Sequence, residues 1–206
     1  MIAILDYGIG NVNSIRNMLK KIGVDATLTN NVDEINDCEK IILPGIGNFD
    51  HCMKMIKQAE FYPYLNDWVL IDKKPLLGVC VGHQMLFESS EEGSENGLGY
   101  LKGKVVKFDF ENQFTREFRV PHMEWNEILI NKNSGMTEGL NSESKFYFVH
   151  SYYCVPMDES DILFSTDYGF QFVSAVERGN IIGVQFHPEK SHKYGMQLYS
   201  NFSNNY

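Results

Sequence analysis

Cys80 stands between two glycines, in Gly78-Val-Cys-Val-Gly82. The apolar run Pro75 to Val79 reads as a buried strand, and the spacing from His83 to Phe87 suits a helix. The cysteine therefore falls on a sharp strand-to-helix turn, the sulfur counterpart of a nucleophile elbow. Such a turn needs close backbone approach, which the absent Cβ atoms of Gly78 and Gly82 permit. It presents a sulfur at a helix N-terminus, where free N–H groups and the helix dipole favour negative charge. The alternative is a buried structural cysteine. A nucleophilic cysteine also needs a base that holds and returns a proton, and histidine titrates in the right range.

Six histidines compete for that role. His83 lies in the elbow helix with nothing nearby in sequence to orient its ring, His51 and His192 fall in or at exposed helices, and His122 and His150 flank strands. His187 differs, because Glu189 follows two residues on in Gln185-Phe-His-Pro-Glu189. In an extended segment residues i and i+2 point the same way, so the carboxylate reaches the imidazole. Nucleophile, base and orienter then follow in the order Cys80, His187, Glu189. A third segment, Pro44-Gly-Ile-Gly-Asn-Phe49, carries glycines on both sides of Ile46 and follows a strand candidate. Each segment alone has a plainer reading: turn glycines, a strand terminator with a solvated acid, or, for Phe148-Val-His-Ser-Tyr-Tyr153, core and edge residues.

The elements that must position these segments show in the apolar pattern. Strand candidates at Ile2–Leu5, Ala26–Thr29, Lys40–Leu43 and Leu76–Val79 alternate with helical spacing at 11–22, Phe49–Gln58 and Tyr64–Ile71. The two threonines of Ala26–Thr29 mark an edge. This alternation predicts an α/β fold, an open and mainly parallel twisted sheet with helices on both faces. After the polar loop Glu91–Gly97 the character changes. Lys104–Phe110, Glu117–Val120 and Ile128–Ile130 read as strands of an antiparallel β extension, Phe146–Val149, Phe172–Val176 and Ile181–Phe186 as later strands, and Lys193–Ser203 as a C-terminal helix. Open α/β sheets bind ligands at the carboxyl ends of their strands, and the Pro44, Cys80 and His187 segments all follow strands there.

Bulk properties set the class. A length of 206 residues suits one domain, 1–206, with 43% hydrophobic and 13% aromatic content for its core. The net charge of −9 comes with no basic stripe, which argues against nucleic acid. No apolar run approaches the roughly 18 residues of a membrane span, and the opening residues do not form a signal segment. The four cysteines (Cys38, Cys52, Cys80, Cys154) are dispersed without a C-x-x-C pair, so no metal site or disulfide framework is expected, and a reducing cytoplasm fits.

Taken together, Gly78-Val-Cys-Val-Gly-His-Gln84 and Gln185-Phe-His-Pro-Glu-Lys-Ser191 resemble the class I (triad) glutamine amidotransferases, whose sheet is flavodoxin-like. The closer resemblance is to the glutaminase subunits of imidazole glycerol phosphate synthases (HisH-like). Asp6-Tyr-Gly-Ile-Gly-Asn11, Pro44-Gly-Ile-Gly47, Ser90-Glu-Glu-Gly93, Val120-Pro-His-Met123, Trp125-Asn126 and His150-Ser-Tyr152 carry it, collinear over the whole length. The resemblance implies hydrolysis of glutamine to glutamate and ammonia, with Cys80, His187 and Glu189 as the catalytic triad. It implies no cofactor, and an oxyanion hole from the N–H of Val81 with Ile46 or Gly47. Gln84, Glu92, His150, Ser151 and Tyr152 would contact glutamine. Asn11, Trp125, Tyr147 and Lys190 would face a separate (β/α)₈-barrel cyclase subunit (HisF-like) or the ammonia route toward it. That partner would use the ammonia to form imidazole glycerol phosphate and the carboxamide nucleotide AICAR in histidine biosynthesis. The Pro44–Gly47 strand of such subunits can hold its peptide turned away until the cyclase is occupied, which implies a poor glutaminase in isolation.

The chain departs from the family pattern at Val81 and His83, where Leu and Met are usual, and at Glu124, where glycine precedes the tryptophan. His192-Lys-Tyr-Gly-Met196 resembles copies that feed ammonia to amidation of surface-polysaccharide sugars. That destination is the alternative to histidine synthesis. More distant alternatives are a flavodoxin-like cysteine peptidase or hydrolase, a nucleotide- or flavin-binding domain, and a purely structural subunit. Val81 directly after the cysteine, an acid that follows its histidine, and a missing third glycine at 12–13 count against the first two. The complete Cys–His–Glu set counts against the third.

Overall fold

A computed structural model of the chain describes residues 1–110 and 118–206. β1 (Ile2–Leu5), β2 (Ala26–Thr29), β3 (Lys40–Gly45) and β4 (Leu76–Cys80) form the first half of a large sheet. β5 (Ser89–Ser90), β6 (Gly103–Lys107), β7 (His122–Glu127), β8 (Leu129–Ile130), β9 (Lys145–His150), β10 (Tyr152–Pro156), β11 (Ile162–Asp167), β12 (Gln171–Arg178) and β13 (Ile181–Val184) complete the strands. The main sheet runs β2-β1-β3-β4-β13-β12-β10-β6-β5, with β11 on β12 and β8 on β11. β7 and β9 form a separate two-stranded antiparallel sheet.

Every pairing from β2 through β13 is parallel, and β12, β10 and β6 continue the sheet antiparallel. The parallel centre follows from composition. β1, β4 and β13 are apolar runs buried at every position, as strands covered on both faces must be. β2 is the edge, as its threonines indicated.

Helices α1 (Val12–Lys21), α2 (Val32–Asn36), α3 (Phe49–Gln58), α4 (Tyr62–Asn66), α5 (Val81–Gln84) and α6 (His192–Asn205) cover the sheet, α1 packing with α6 and α3 with α4 and α5. In α3, Phe49, Cys52, Met53 and Ile56 are buried at the spacing of one helix face, and Asn48 caps its first turn through His51 N–H at 3.1 Å. No helix among the described residues is long and apolar enough to cross a membrane.

Several sequence-based boundaries move. The elbow helix begins at Val81, directly after Cys80, and ends at Gln84 instead of spanning His83–Phe87. The helix expected at Tyr64–Ile71 starts at Tyr62 and changes to a π-turn over Asp67–Ile71. β6 stops at Lys107, short of Phe110. The strand expected at Glu117–Val120 is absent over 118–120, the approach to a cis peptide before Pro121, while Glu117 lies outside the described residues. β7, β10, β11 and α2 were not anticipated.

Candidate active site

Three strand ends meet in register. Gly45 of β3 lies opposite Cys80 of β4, and Val184 of β13 opposite Val79. Cys80 adopts φ 56° and ψ −113°, a left-handed conformation that side chains avoid, so the elbow's dihedral cost falls on the cysteine itself. The flanking glycines supply space: a Cβ on Gly82 would stand 2.1 Å from the Leu43 carbonyl oxygen. Larger residues would push the elbow off β3.

His187 lies just past β13, with its ring 2% exposed. The ring shares the cavity wall with the Cys80 sulfur, near enough for the sulfur to favour the imidazolium. Its Nδ1 donates to Glu189 Oε1 at 2.7 Å. Burial works against the imidazolium, yet the Cys80 sulfur and the Glu189 carboxylate together raise His187 well above its ordinary range. Burial likewise opposes ionised Glu189, but the His187 bond and charge and the Asn11 amide hold its carboxyl below the usual value. Asn11 Nδ2 donates to the same Oε1 at 3.1 Å. Ser191 fixes the backbone: its hydroxyl donates to His187 O at 2.6 Å and accepts the Tyr147 N–H at 3.0 Å, while His187 N–H donates to Tyr147 O at 2.9 Å.

Cys80 and His187 open onto a cavity of about 400 Å³. Val81, Ile46, Gly47, Gln84, Glu92, His150, Ser151, Tyr152, Asn11 and Lys190 line it, together with the unanticipated Pro121 and Val149. Trp125 and Tyr147 do not. They sit on the β7–β9 sheet with ring centroids 6.1 Å apart, Trp125 stacking on His192 at 5.3 Å and Lys190 resting over Tyr147 at 5.6 Å. Glu92 accepts the Phe49 N–H at the start of α3 at 2.8 Å. Gln84 gives its amide N–H groups to Gln185 Oε1 at 3.0 Å and Tyr152 O at 3.2 Å, which leaves its carbonyl oxygen as the free acceptor. The Ile46 carbonyl accepts from the buried Cys52 thiol at 3.2 Å, and burial pushes that thiol up to about 12. The Gly47 N–H, on the opposite edge of the same peptide, faces away from Cys52. His83 is wholly buried with its ring against the Gly183 backbone but neither ring nitrogen in hydrogen-bonding geometry, and burial lowers it to about 4. It does not line the cavity that Cys80 and His187 share. No cluster of three or more metal-ligating side chains occurs among the described residues.

The family model "Glutamine amidotransferase class-I" matches residues 3–205. The chain belongs to the class I glutamine amidotransferases. It is 49% identical over 202 residues to "Imidazole glycerol phosphate synthase subunit HisH 2" of Methanococcus maripaludis, covering 98% of each chain. The protein of the same name from Pseudomonas aeruginosa is 46% identical over 202 residues, with 98% of both covered. Subunit HisH of Leptospira borgpetersenii is 42% identical over 203 residues, 98% of this chain and 99% of that one. Among solved structures, PurLQS from Thermotoga maritima superposes with a TM-score of 0.72 at 18% identity, covering 98% of this chain and 97% of that one. A further glutamine amidotransferase gives 0.70 at 19%, covering 98% and 96%. At these identities the structures speak for the fold.

Within this amidotransferase two positions escaped the sequence reading. Asn11, expected toward a partner or the ammonia route, has its side chain on Glu189, 178 residues away in sequence. Ser191 ties the His187 loop to β9. No local pattern signals either contact, since both depend on how α1 and β9 pack against the segment after β13.

Proposed function

We propose that the chain is the glutaminase subunit of an imidazole glycerol phosphate synthase. The observation that carries this reading is the hydrogen-bonded line His187–Glu189–Asn11 with Cys80 and His187 opening together on a cavity of amino-acid size. Cys80 Sγ attacks the side-chain amide carbon of glutamine, and the oxygen becomes an oxyanion between the Val81 N–H and the Ile46–Gly47 backbone. His187 gives its proton to the departing ammonia as the tetrahedral intermediate collapses to a γ-glutamyl thioester. Water then enters, His187 takes one of its protons, and attack on the thioester releases glutamate and returns Cys80. Glu189 holds the ring and stabilises the imidazolium in both halves. Glu92 recognises the α-ammonium, with Gln84 and the 150–152 backbone at the same end of the substrate.

The ammonia passes to a separate (β/α)₈-barrel cyclase for ring closure in histidine biosynthesis, in the cytoplasm. Trp125, Tyr147 and Lys190 face that partner, and the isolated chain hydrolyses glutamine slowly until the partner is occupied. The relatives' names support a role within a multi-subunit enzyme, since each is called a subunit of imidazole glycerol phosphate synthase. The test is a Cys80→Ala chain co-purified with the host's barrel cyclase. It should lose glutamine-dependent product while keeping product formation from ammonium salts. Loss of both overturns the partner reading. Equal glutamine hydrolysis by the wild-type chain alone and in the loaded complex overturns the activation.

A second reading keeps the chemistry and changes the destination to amidation of a surface-polysaccharide sugar. It is favoured by Glu124 in place of glycine beside Trp125, and by the resemblance carried by His192-Lys-Tyr-Gly-Met196. Pull-down with each barrel cyclase of the host, followed by glutaminase assay, separates the two.

A further inference from the structure

β7 and β9 bring His122 opposite His150, and both rings are buried, 0% and 6% exposed. His122 Nδ1 lies 3.0 Å from His150 Nε2, and His150 Nδ1 lies 2.8 Å from the Tyr152 carbonyl oxygen. A carbonyl only accepts, so His150 Nδ1 carries the proton. In a neutral ring this leaves Nε2 bare, and His122 Nδ1 must donate to it. The same logic leaves His122 Nε2 bare, with the Asn126 amide at 3.4 Å. One carbonyl thus dictates the tautomer of two rings. Packing holds them in place: Tyr168 stacks on His122 at 4.0 Å and Phe108 lies 5.2 Å from His150.

The end of this chain is the substrate wall. The Tyr152 carbonyl also accepts from Gln84 Nε2 at 3.2 Å, and His150, Tyr152 and Gln84 all line the cavity, whereas His122 does not. We propose that His122 is a positioning residue for glutamine binding. It acts through His150, holding that ring in the Nδ1–H tautomer and so fixing the Tyr152 carbonyl and the Gln84 amide. The glutamine part rests on the amidotransferase reading; the tautomers do not. A residue acting on the non-reacting end of the substrate shows in affinity before it shows in the chemical step.

Two measurements test it. Two-bond ¹H–¹⁵N spectra of the full chain, labelled at imidazole nitrogen, should show His122 and His150 both protonated at Nδ1 at neutral pH, where free histidine favours Nε2. Either ring in the Nε2–H form, or cationic, overturns the relay. Calorimetric titration of L-glutamine into the non-turning-over Cys80→Ala chain reads the second part. Adding His122→Asn keeps a donor where Nδ1 stood and should hold affinity within about twofold. Adding His122→Phe keeps a buried ring without the donor and should weaken binding about tenfold, the scale of one buried hydrogen bond. Equal affinities for the two variants overturn the inference alone. Absence of glutamine binding by the parent Cys80→Ala chain overturns the amidotransferase reading with it.

Discussion

Two buried pairs are built on histidine, His187 with Glu189 and His122 with His150, and their chemistry runs in opposite directions. His187 has a carboxylate on Nδ1 and the Cys80 sulfur near its ring, and it is raised to about 10 despite burial. His122 and His150 have each other and a carbonyl, and burial lowers them to about 4 and about 3, with the neighbouring His122 adding to the effect on His150. Depth inside the protein does not decide the protonation state. The partner does: an anion can repay the desolvation of an imidazolium, and a second neutral ring cannot. One pair is therefore suited to move protons and the other to hold a fixed shape.

The comparison breaks most visibly at the carboxylate. Glu189→Gln leaves the bond geometry but removes the charge and frees the tautomer. Glutamine hydrolysis should fall roughly 10³–10⁴-fold in kcat, measured in the activated complex. A drop under tenfold would mean that His187 does not depend on an ionised partner.

Stability against pH separates the pairs next. His187 binds its proton more tightly folded than unfolded, so its contribution is complete below pH 6.5 and disappears as pH rises toward about 10. His122 and His150 bind theirs less tightly when folded. Their contribution is complete above pH 6.5 and is lost as pH falls toward about 4 and 3. Urea unfolding across pH should show His187→Gln flattening the alkaline decline and His122→Asn flattening the acid one, each by on the order of 2 kcal/mol across its window. Matching slopes for the two variants would erase the distinction.

Smaller changes sharpen it. Asn11→Ala removes the second donor to Glu189 Oε1, and one bond to a charged group corresponds to roughly a tenfold loss in kcat with KM unchanged. Glu124 lies 3.7 Å from His122 Nε2, which carries no proton in the neutral pair. Glu124→Gln, which removes the charge and keeps the strand backbone, should therefore alter stability at neutral pH by less than about 0.5 kcal/mol. A larger loss in urea titration would reveal a charged His122.

The same contrast explains what could be read from the sequence. β1, β4 and β13 show as continuous apolar runs because both faces are covered, and their common end places Cys80, His187 and the Pro44–Gly47 segment together. β7, whose middle residues Met123 to Trp125 are exposed, has no apolar alternation, and β10 ends in proline, so neither stood out. His187 and Glu189 are two residues apart and legible. His122 and His150 are 28 apart, and only the register of β9 with the unanticipated β7 makes them partners. Local spacing reveals the hydrogen-bonded His187–Glu189 pair; it does not reveal a pair assembled by topology.

All four cysteines are unpaired and buried, yet only Cys80 lines the cavity. A small alkylating reagent offered to the folded chain therefore meets one thiol in four. The mass added per chain becomes a stoichiometric count of intact sites, and a second adduct on the same molecule reports that it has begun to unfold.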